Sequence, residues 1–385
     1  MGILQVIVIR RHCDRGKGGA ERYCANLCRG LRDLGHKVIL IGESCEDELL
    51  DIVEFVYIKP INAGSALKNW SFHTRAQDKI RTFPKAVSIA LSRTYPVDVY
   101  RLTERLHAHS IANNYRSNAM RLWTRLSLRH RTLLALERGL LSGKGSKAII
   151  TISKLDKELV QRYYGVPSER IHVVYNGVDK KAFNPSVRDQ RQELRKSLGI
   201  EPETTCYLFP AMDFVKKGLG NLLAALSRLD FPWFLLVAGD GKARPFRELA
   251  KMLGIEGRIC FLGKRKDINL LYGAADLMVF PAEYEPFGSV HLEALACGLP
   301  VLTTEQVGGS EVVEPIKTGY VIDRGSNIEA LVNALRYHEQ KRPDWEMMSK
   351  MAAKSVEQFT LERNARQVEE ILLRVSNRRL RAPAP

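Results

Sequence analysis

Residues 3–41 read ILQVIVIRRHCDRGKGGAERYCANLCRGLRDLGHKVILI, two apolar runs separated by a glycine-containing loop and an amphipathic stretch. The run at 3–9 is typical of a buried strand, and residues 38–41 repeat the pattern. Between them, apolar side chains recur at helical spacing: Tyr23, Leu27, Leu31 and Leu34. Gly35 ends the predicted helix, which covers 20–34. A strand, a helix and a strand in this order predict an α/β fold built on a parallel sheet.

The same alternation of strands and helices returns along the rest of the chain. Further strands are predicted at 147–153, 207–209, 234–238, 258–262, 277–280 and 300–303, and further helices at 154–164, 220–229, 244–253, 268–274 and 288–297. Turn-forming Asn-Gly and Asn-Pro pairs cluster within 175–184, between the two halves. We therefore predict two doubly wound domains, residues 1–175 and 176–359.

Length and composition exclude several classes of protein. The chain has 385 residues, of which 45% are hydrophobic and 26% charged, as in globular rather than disordered or fibrous proteins. No apolar run approaches the ~20 residues of a membrane-spanning helix, and the N-terminus does not resemble a signal peptide. Seven cysteines without a Cys-x-x-Cys pair favour a reducing cytosol over a disulfide framework.

The positive charge is concentrated in the first half of the chain. The net charge is +16; residues 1–205 contain 35 basic and 21 acidic side chains, whereas residues 206–385 contain 24 and 22. Within 85–147 there are 12 basic and three acidic side chains. This imbalance predicts an anionic partner, for which nucleic acid, a phosphorylated glycolipid and a membrane surface are the candidates. A basic surface that serves only solubility is the alternative.

A pair of glycines, Gly18 and Gly19, opens the first predicted helix. Glycine permits a positive φ and a close approach of the backbone to a ligand, and the N–H groups of a helix start face anions. The pattern is not G-x-G-x-x-G, and Glu43 is the nearest acidic candidate for a ribose contact. Such a pair equally often serves only to turn the chain.

Residues 280–300 read FPAEYEPFGSVHLEALACGLP, a strand end, an acidic loop and a helix that we expect to begin near Gly288. Glu285 and Glu293 are eight residues apart, about 12 Å along a helix. Because paired glycosidase carboxylates lie ~5–10 Å apart, hydrolysis by this pair is disfavoured. We expect two hydroxyl-binding carboxylates around a phosphate held by the N–H groups of residues 287–290. The alternative is a helix-start charge at Glu285 and an exposed helix residue at Glu293.

Glu285-x7-Glu293, with Phe287-Gly288 between, resembles the signature of the family-4 retaining glycosyltransferases. Further stretches fit the same family: Gly18-Gly19, Ser153, Tyr164–Pro167, Tyr175–Asp179, Lys216–Gly218, Ala238–Gly241 and Gly298–Val301. The resemblance implies the GT-B fold, in which two Rossmann-like domains with parallel sheets face a central cleft and a C-terminal helix within 360–385 crosses back to the first domain. Asp98–Tyr100 and Glu104, with the basic segment that follows, most resemble the lipopolysaccharide core glucosyltransferases.

The resemblance implies that the second domain binds a nucleotide-sugar. The donor-binding residues would be Gly18, Gly19, Lys216, Lys217, Gly239, Gly241, Lys264, Glu285, Phe287, Gly288, Ser289, Val290 and Glu293. Lys217 would balance the diphosphate charge, Glu293 would bind the ribose and Glu285 the transferred hexose. Ala211 stands where the family often has an arginine. The chain has no Asp-x-Asp pair for a divalent ion, so we expect no metal and no cofactor beyond the nucleotide-sugar substrate.

The resemblance places the acceptor in the first domain. Glu104, where nearer relatives have Asp, would orient or deprotonate the acceptor hydroxyl, and His107 is the rival candidate. No nucleophile pair for a covalent intermediate is evident. The family implies that the departing diphosphate oxygen takes the proton of the hydroxyl, with Glu285 beside the sugar.

The segment 111–141 alternates leucines with arginines and predicts an amphipathic helix at a membrane surface. Contacts with anionic lipid are predicted for Arg116, Arg121, Trp123, Arg125 and Arg129. A core-packed helix with a solvated arginine face is the alternative. Nucleic-acid binding is disfavoured because its recognition motifs are missing from the sequence.

Taken together, the sequence predicts an enzyme that moves a hexose, glucose from UDP-glucose, onto a heptose of a lipid-linked lipopolysaccharide core. It would act from the cytoplasm as a peripheral protein on the inner face of the membrane. The alternatives are another nucleotide-sugar or acceptor, a nicotinamide dehydrogenase, which the missing G-x-G-x-x-G disfavours, and a basic nucleic-acid-binding protein.

Overall fold

The computed structural model describes residues 2–14, 16, 18–114, 124 and 126–381, with side chains as far as residue 377. The chain divides into two compact units. The N-terminal unit contains Met1–Asn176 together with Leu361–Pro385, and the C-terminal unit contains Gly177–Thr360.

The N-terminal unit is built on a parallel sheet of seven strands in the order β5-β3-β1-β6-β7-β8-β9. These strands are β1 Gln5–Ile9, β3 Lys37–Gly42, β5 Glu54–Tyr57, β6 Val87–Ala90, β7 Val97–Arg101, β8 Ser146–Thr151 and β9 Ile171–Val173. A small parallel pair accompanies the sheet, β2 His12–Cys13 and β4 Ser44–Cys45. The central strands are nearly continuous apolar runs because helices cover both faces of a parallel sheet.

Seven helices are described in the N-terminal unit. They are α1 Gly19–Asp33, α2 Asp47–Leu50, α3 Gly64–Arg81, α4 His107–Asn114, α5 Leu128–Leu141, α6 Lys154–Tyr164 and the C-terminal α14 Leu361–Arg381. Helix α14 packs on α1, and Val368 and Leu372 lie in one core with Leu27 and Leu31. His36 and Glu369, both largely buried, join the start of β3 to α14 at 2.8 Å.

The C-terminal unit has a six-stranded parallel sheet in the order β12-β11-β10-β13-β14-β15. Its strands are β10 Thr205–Pro210, β11 Trp233–Ala238, β12 Ile259–Gly263, β13 Leu277–Phe280, β14 Val301–Thr304 and β15 Gly319–Ile322. Its helices are α7 Arg191–Ser197, α8 Leu219–Leu226, α9 Arg244–Met252, α10 Ile268–Ala274, α11 Val290–Ala296, α12 Ile328–Gln340 and α13 Trp345–Ser355. Short 3₁₀ turns connect several of these elements.

Each sheet reverses its strand order once, between β1 and β6 in one unit and between β10 and β13 in the other. At such a point the loops that leave neighbouring strands run in opposite directions and open a crevice at the carboxyl edge. Ligands of doubly wound folds bind there. The topology therefore gives each unit one preferred place for a ligand.

The predicted α/β architecture with parallel sheets is confirmed, and helices 154–164 and 268–274 have the predicted bounds. A single helix over 111–141 was a wrong prediction, because Ser127 has extended backbone immediately before α5. The described part of α5 buries Leu133 and Leu136. None of the described helices is long and apolar enough to cross a membrane.

The contact between α1 and α14 can be tested at Gly30. A Cβ atom on Gly30 would lie 2.6 Å from the Cβ of Ala365, closer than van der Waals contact allows. Although Gly→Ala inside a helix normally stabilises it, Gly30→Ala should lower the free energy of unfolding by ~1–3 kcal/mol through overpacking. Urea unfolding measures the change.

Two variants complete that measurement. Gly220→Ala in α8, where the new Cβ meets side chains only at 3.8 Å and beyond, should be neutral or stabilising. Adding Ala365→Gly to Gly30→Ala should recover part of the loss, since the two residues share one contact. Strict additivity of the two substitutions would show that this contact is not tight.

Candidate functional site

The crevice between β10 and β13 of the C-terminal unit carries an ion pair between Lys217 and Glu285. Lys217 precedes Gly218, whose φ of 84° is readily adopted only by glycine. A Cβ on Gly218 would lie 2.2 Å from the carbonyl oxygen of Pro281, directly after β13. The loop after β10 is thereby held against the end of β13, which brings Lys217 to the acidic loop.

Lys217 and Glu285 are shielded from solvent without being fully buried. The two side chains are 13% and 21% exposed, and the ammonium lies 5.3 Å from the ring centroid of Phe280. A cation over an aromatic face is further stabilised by the ring quadrupole. The arrangement is a fixed positive charge with a carboxylate beside it at the carboxyl edge of the sheet.

The backbone of Glu285 is fastened to the segment that follows β14. Its N–H donates to the carbonyl of Gln306 at 3.2 Å, and its carbonyl accepts from the N–H of Gly308 at 2.9 Å. The carboxylate of Glu285 is therefore carried on a loop with two backbone anchors rather than on a free surface turn.

His291 holds the same loop in place through a hydrogen bond to its backbone. Its Nδ1 lies 2.7 Å from the carbonyl of Gly288, which can only accept, so Nδ1 carries the proton. Its Nε2 lies 2.9 Å from the Thr303 hydroxyl, which must then donate to it. Burial lowers the pKa of His291 to about 4, so the ring is neutral near pH 7.

The helix predicted from Gly288 begins two residues later, at Val290. Gly288 has a φ of 76°, a left-handed conformation that a right-handed helix cannot include. Phe287 is buried, whereas Ser289 and Val290 are partly exposed. The four residues lie together at the start of α11 as predicted, and their phosphate-binding role stays a prediction.

Glu293 is a buried residue, so the alternative of an exposed helix position is wrong. It is 5% exposed, and its Oε2 accepts a hydrogen bond of 3.0 Å from the hydroxyl of the buried Tyr272 on α10. A buried carboxylate of this kind is retained where a polar partner satisfies it. Tyr272 was missed from the sequence because its partner lies 21 residues away on another helix.

Gly239 and Gly241 allow the loops after β10 and β11, at the carboxyl edge of the C-terminal sheet, to pack against each other. Gly239 has a φ of 139°, and a Cβ on it would lie 1.7 Å from the carbonyl of Ala211. A Cβ on Gly241 would lie 2.4 Å from the ring of Phe214. These glycines are required for packing of the protein itself, and contact with a nucleotide stays a prediction.

The other two predicted lysines are at the surface. The ammonium of Lys216 lies 2.6 Å from the carboxylate of Asp213, with both side chains substantially exposed. Lys264 is exposed after β12. The donor roles of Lys216 and Lys264 stay predictions.

In the N-terminal unit, Gly18 and Gly19 do not use the backbone freedom for which they were singled out. Gly18 is extended, with a φ of 171°, and Gly19 is the first residue of α1. Neither glycine therefore has the left-handed conformation that this residue type permits. The nearby feature is Glu21, which accepts a hydrogen bond of 2.7 Å from the Arg10 guanidinium at the end of β1.

Glu104 lies between two arginines at the carboxyl edge of the N-terminal sheet. Arg10 reaches its Oε1 at 3.2 Å and Arg93 its Oε2 at 2.5 Å, while the carboxylate side chain remains 44% exposed. Burial alone would raise the pKa of Glu104, but Arg93 and Arg10 outweigh it and hold the pKa below its usual range. Glu104 is thus a hydrogen-bond acceptor and a weak base.

A second carboxylate, Glu137, organises the residues around His107. It is fully buried and accepts hydrogen bonds from the N–H groups of His107 and Ala108, at 2.7 and 3.1 Å, and from the hydroxyl of Tyr164, at 2.6 Å. It caps the start of α4 from a different helix, α5. The sequence offered one signal for it, an acidic residue isolated within a basic segment.

His107 is held against a second histidine. Its Nε2 lies 3.0 Å from Nδ1 of His130, and the rings stack with centroids 5.1 Å apart. Burial, together with the charge of Arg93, lowers the pKa of His107 to about 4. His107 is therefore neutral near pH 7, and its catalytic role stays a prediction.

Of the residues predicted to contact a membrane, Arg116, Arg121, Trp123 and Arg125 lie outside the described residues. Arg129 is exposed near the start of α5. Two leucines beside it, Leu126 and Leu128, are about 70% exposed. Exposed leucines beside an arginine are consistent with an interfacial contact.

Comparison with known families assigns both halves of the chain. The profile of Glycosyltransferase Family 4 matches residues 17–182, and that of Glycosyl transferases group 1 matches residues 190–355. The chain belongs to the family-4 glycosyltransferases. The prediction that it is a glycosyltransferase is confirmed.

Among known proteins, this glycosyltransferase is similar to the lipopolysaccharide glucosyltransferase WaaG of Escherichia coli K12. They are 27% identical over 83% of this chain and 85% of the relative. The crystal structure of WaaG, a glycosyltransferase involved in lipopolysaccharide biosynthesis, matches with a TM-score of 0.83 and 24% identity, over 95% of this chain and 99% of that one. Anabaena HepE in complex with UDP-glucose matches with a TM-score of 0.72 and 20% identity, over 96% and 100%. The predicted GT-B fold is confirmed.

The buried neutral His291 predicts a dependence of stability on pH. Its pKa is about 4 in the folded glycosyltransferase and near 6.5 in the unfolded chain, so between these values the unfolded chain binds more protons. The free energy of unfolding should fall as pH drops from about 6.5 to about 4, by ~3 kcal/mol from this group. His291→Gln should flatten that part of the profile in urea unfolding. Parallel profiles for the two proteins would contradict the assignment.

Proposed function

We propose that this glycosyltransferase transfers a hexose, glucose from UDP-glucose, with retention of configuration to a heptose of a lipid-linked lipopolysaccharide core. Two relatives support the substrates, a lipopolysaccharide glucosyltransferase and a structure that contains UDP-glucose. Other sugars and glycolipid acceptors within the family are the alternative.

The observation that carries the proposal is the Lys217–Glu285 ion pair at the crevice between β10 and β13. In this structure Glu285 neutralises Lys217. A bound diphosphate brings at least two negative charges to the same ammonium and displaces the carboxylate from it. Glu285 is then released to accept hydrogen bonds from the 3- and 4-hydroxyls of the hexose.

This exchange links donor recognition to sugar recognition. The carboxylate cannot bind sugar hydroxyls fully while it is paired with the ammonium, and the ammonium cannot serve the diphosphate while it is neutralised. A nucleotide-sugar carries both a diphosphate and a hexose, so this one ligand can pair with Lys217 and Glu285 at the same time. Glu293, held by Tyr272, supplies the carboxylate for the ribose diol.

In the transfer step, the bond between the anomeric carbon and the diphosphate oxygen breaks, and the acceptor oxygen bonds to that carbon on the same face. The acceptor proton passes to the departing diphosphate oxygen. Lys217 stabilises the charge that develops on the leaving group, without a metal ion. Because its pKa is lowered, Glu104 orients the acceptor hydroxyl rather than removing its proton.

We further propose that the enzyme acts as a peripheral protein on the cytoplasmic face of the membrane. The support is the basic first half of the chain, together with the exposed Leu126, Leu128 and Arg129. Each basic residue near an anionic leaflet contributes ~1 kcal/mol.

Substitutions in the ion pair separate its two roles. Lys217→Ala should weaken UDP binding and lower the transfer rate by roughly 10²–10³-fold, since a leaving-group charge loses its partner. Glu285→Ala should bind UDP at least as tightly as the unaltered enzyme, because the competing carboxylate is gone, yet transfer glucose poorly. Calorimetry with UDP, and transfer assays from UDP-glucose in EDTA, measure the two effects.

The matched control is Lys350→Ala, which removes a lysine paired with Glu346 on the exposed face of α13. It should change neither UDP affinity nor transfer. If Glu285→Ala weakens UDP binding as much as Lys217→Ala does, the exchange is refuted. If other nucleotide-sugars replace UDP-glucose with equal efficiency, the donor assignment is wrong while the family assignment stands.

The membrane contact predicts salt-sensitive sedimentation with vesicles that contain anionic phospholipid and little with neutral ones. Arg129→Glu should reduce the bound fraction, whereas Arg244→Glu, at an exposed arginine of the C-terminal unit, should not. Equal binding to anionic and neutral vesicles would contradict an electrostatic contact.

A further inference from the structure

Three cysteine thiols meet in the core of the N-terminal unit. Cys13 lies on β2, and Cys24 and Cys28 lie on α1. All three side chains are fully buried, and their sulfur atoms lie within 4.8 Å of one another. None of the seven cysteines forms a disulfide. No other such group of potential metal ligands occurs among the residues that the structure describes.

Local structure explains why the thiols converge. Cys24 and Cys28 are four residues apart on a helix and therefore share one face. The short parallel pairing of β2 with β4 sets Cys13 opposite Cys45. Cys45 is partly exposed, and its Sγ lies 3.4 Å from the carbonyl of Glu46. Cys45 is outside the group whose sulfurs all lie within 4.8 Å of one another, so its side chain would have to turn from Glu46 toward the other three to complete a four-thiolate set.

The spacing suits a thiophilic metal ion. Thiolates bind zinc at ~2.3 Å with tetrahedral geometry, which separates neighbouring sulfurs by about 3.8 Å. Sulfurs already within 4.8 Å need to move by less than an ångström each to reach that separation. Soft thiolate ligands in a tetrahedral set favour zinc over magnesium or calcium.

Arg29 directly follows Cys28 on α1. Its Nη2 donates to Glu46 at 2.8 Å, but its buried Nη1 has no hydrogen-bond partner. A buried guanidinium nitrogen without a partner is costly unless an anionic group faces it. A thiolate-bound metal site has the net negative charge that would compensate it.

We propose that Cys13, Cys24 and Cys28 bind one zinc ion, with Cys45 as the fourth ligand. The proposal does not depend on the substrate assignment. It would tie β2 and β4 to α1, and so fix the chain between Arg10 and Glu21, which pair with each other at 2.7 Å.

The test begins with the full chain purified under reducing conditions without chelator, and also stripped of metal and supplied with Zn²⁺. Mass spectrometry should find one zinc per chain after either treatment. Stripped protein supplied with Co²⁺ should show the intense visible bands of tetrahedral cobalt thiolate. A chain that holds less than about a tenth of an ion after Zn²⁺ supply, or that lacks the cobalt bands, refutes the site.

Variants identify the ligands. Cys24→Ala and Cys28→Ala should each weaken zinc affinity by at least ~100-fold in competition with a chelator, the upper end of what loss of an outer-shell partner costs. Cys206→Ala and Cys297→Ala, at buried cysteines of the C-terminal unit, are the controls and should retain one zinc.

Cys45→Ser keeps the test decisive if the buried variants fail to fold. Cys45 is partly exposed, so this variant should leave the chain folded. It should weaken zinc affinity and change the cobalt spectrum. Unchanged affinity in Cys45→Ser removes it as the fourth ligand and overturns the four-thiolate site. A count of five rather than seven reactive thiols in denatured protein would identify a disulfide and overturn the proposal.

Discussion

The position of Lys217 depends on one backbone constraint, the contact of Gly218 with the carbonyl of Pro281. Only a residue without a Cβ, in the left-handed conformation, allows the loop after β10 to lie against the end of β13. That contact places the ammonium beside Phe280 and Glu285 at the point where strand order reverses. The charge of the site therefore follows from steric constraint, and the chemistry proposed for it follows from the charge.

Glu285 of the C-terminal unit and Glu104 of the N-terminal unit have different electrostatic surroundings. Glu285 pairs with Lys217 and has two backbone anchors, so its carboxylate can exchange partners while the backbone of the loop keeps its position. Glu104 is held between Arg10 and Arg93, and its pKa is lowered. A carboxylate with two cations orients a hydroxyl better than it accepts a proton. This distinction agrees with a reaction in which the leaving diphosphate serves as the base.

The sequence predicted most elements wherever local signals were complete. Helix α6 has its predicted bounds because Ser153 caps its start and Gly165, with a φ of 61°, ends it. The sequence did not predict helix α3, because its buried face includes the polar residues Ser71 and His73. The apolar residues therefore do not recur at helical spacing. The roles of Arg93 and Glu137 could not be predicted either. Arg93 and Glu137 are 44 residues apart and come into contact only through the topology of the sheet. The sequence around either residue therefore gives no information about the other.

The C-terminal helix α14 has a consequence for biosynthesis. During synthesis the N-terminal unit lacks Val368, Leu372 and the Glu369 partner of His36 until α14 has been translated. Its core cannot be completed before α14 has been translated, whereas the C-terminal unit is contiguous and can fold before then. The apolar face of α1 that packs against α14 therefore stays uncovered in the nascent chain until the whole C-terminal unit has been translated.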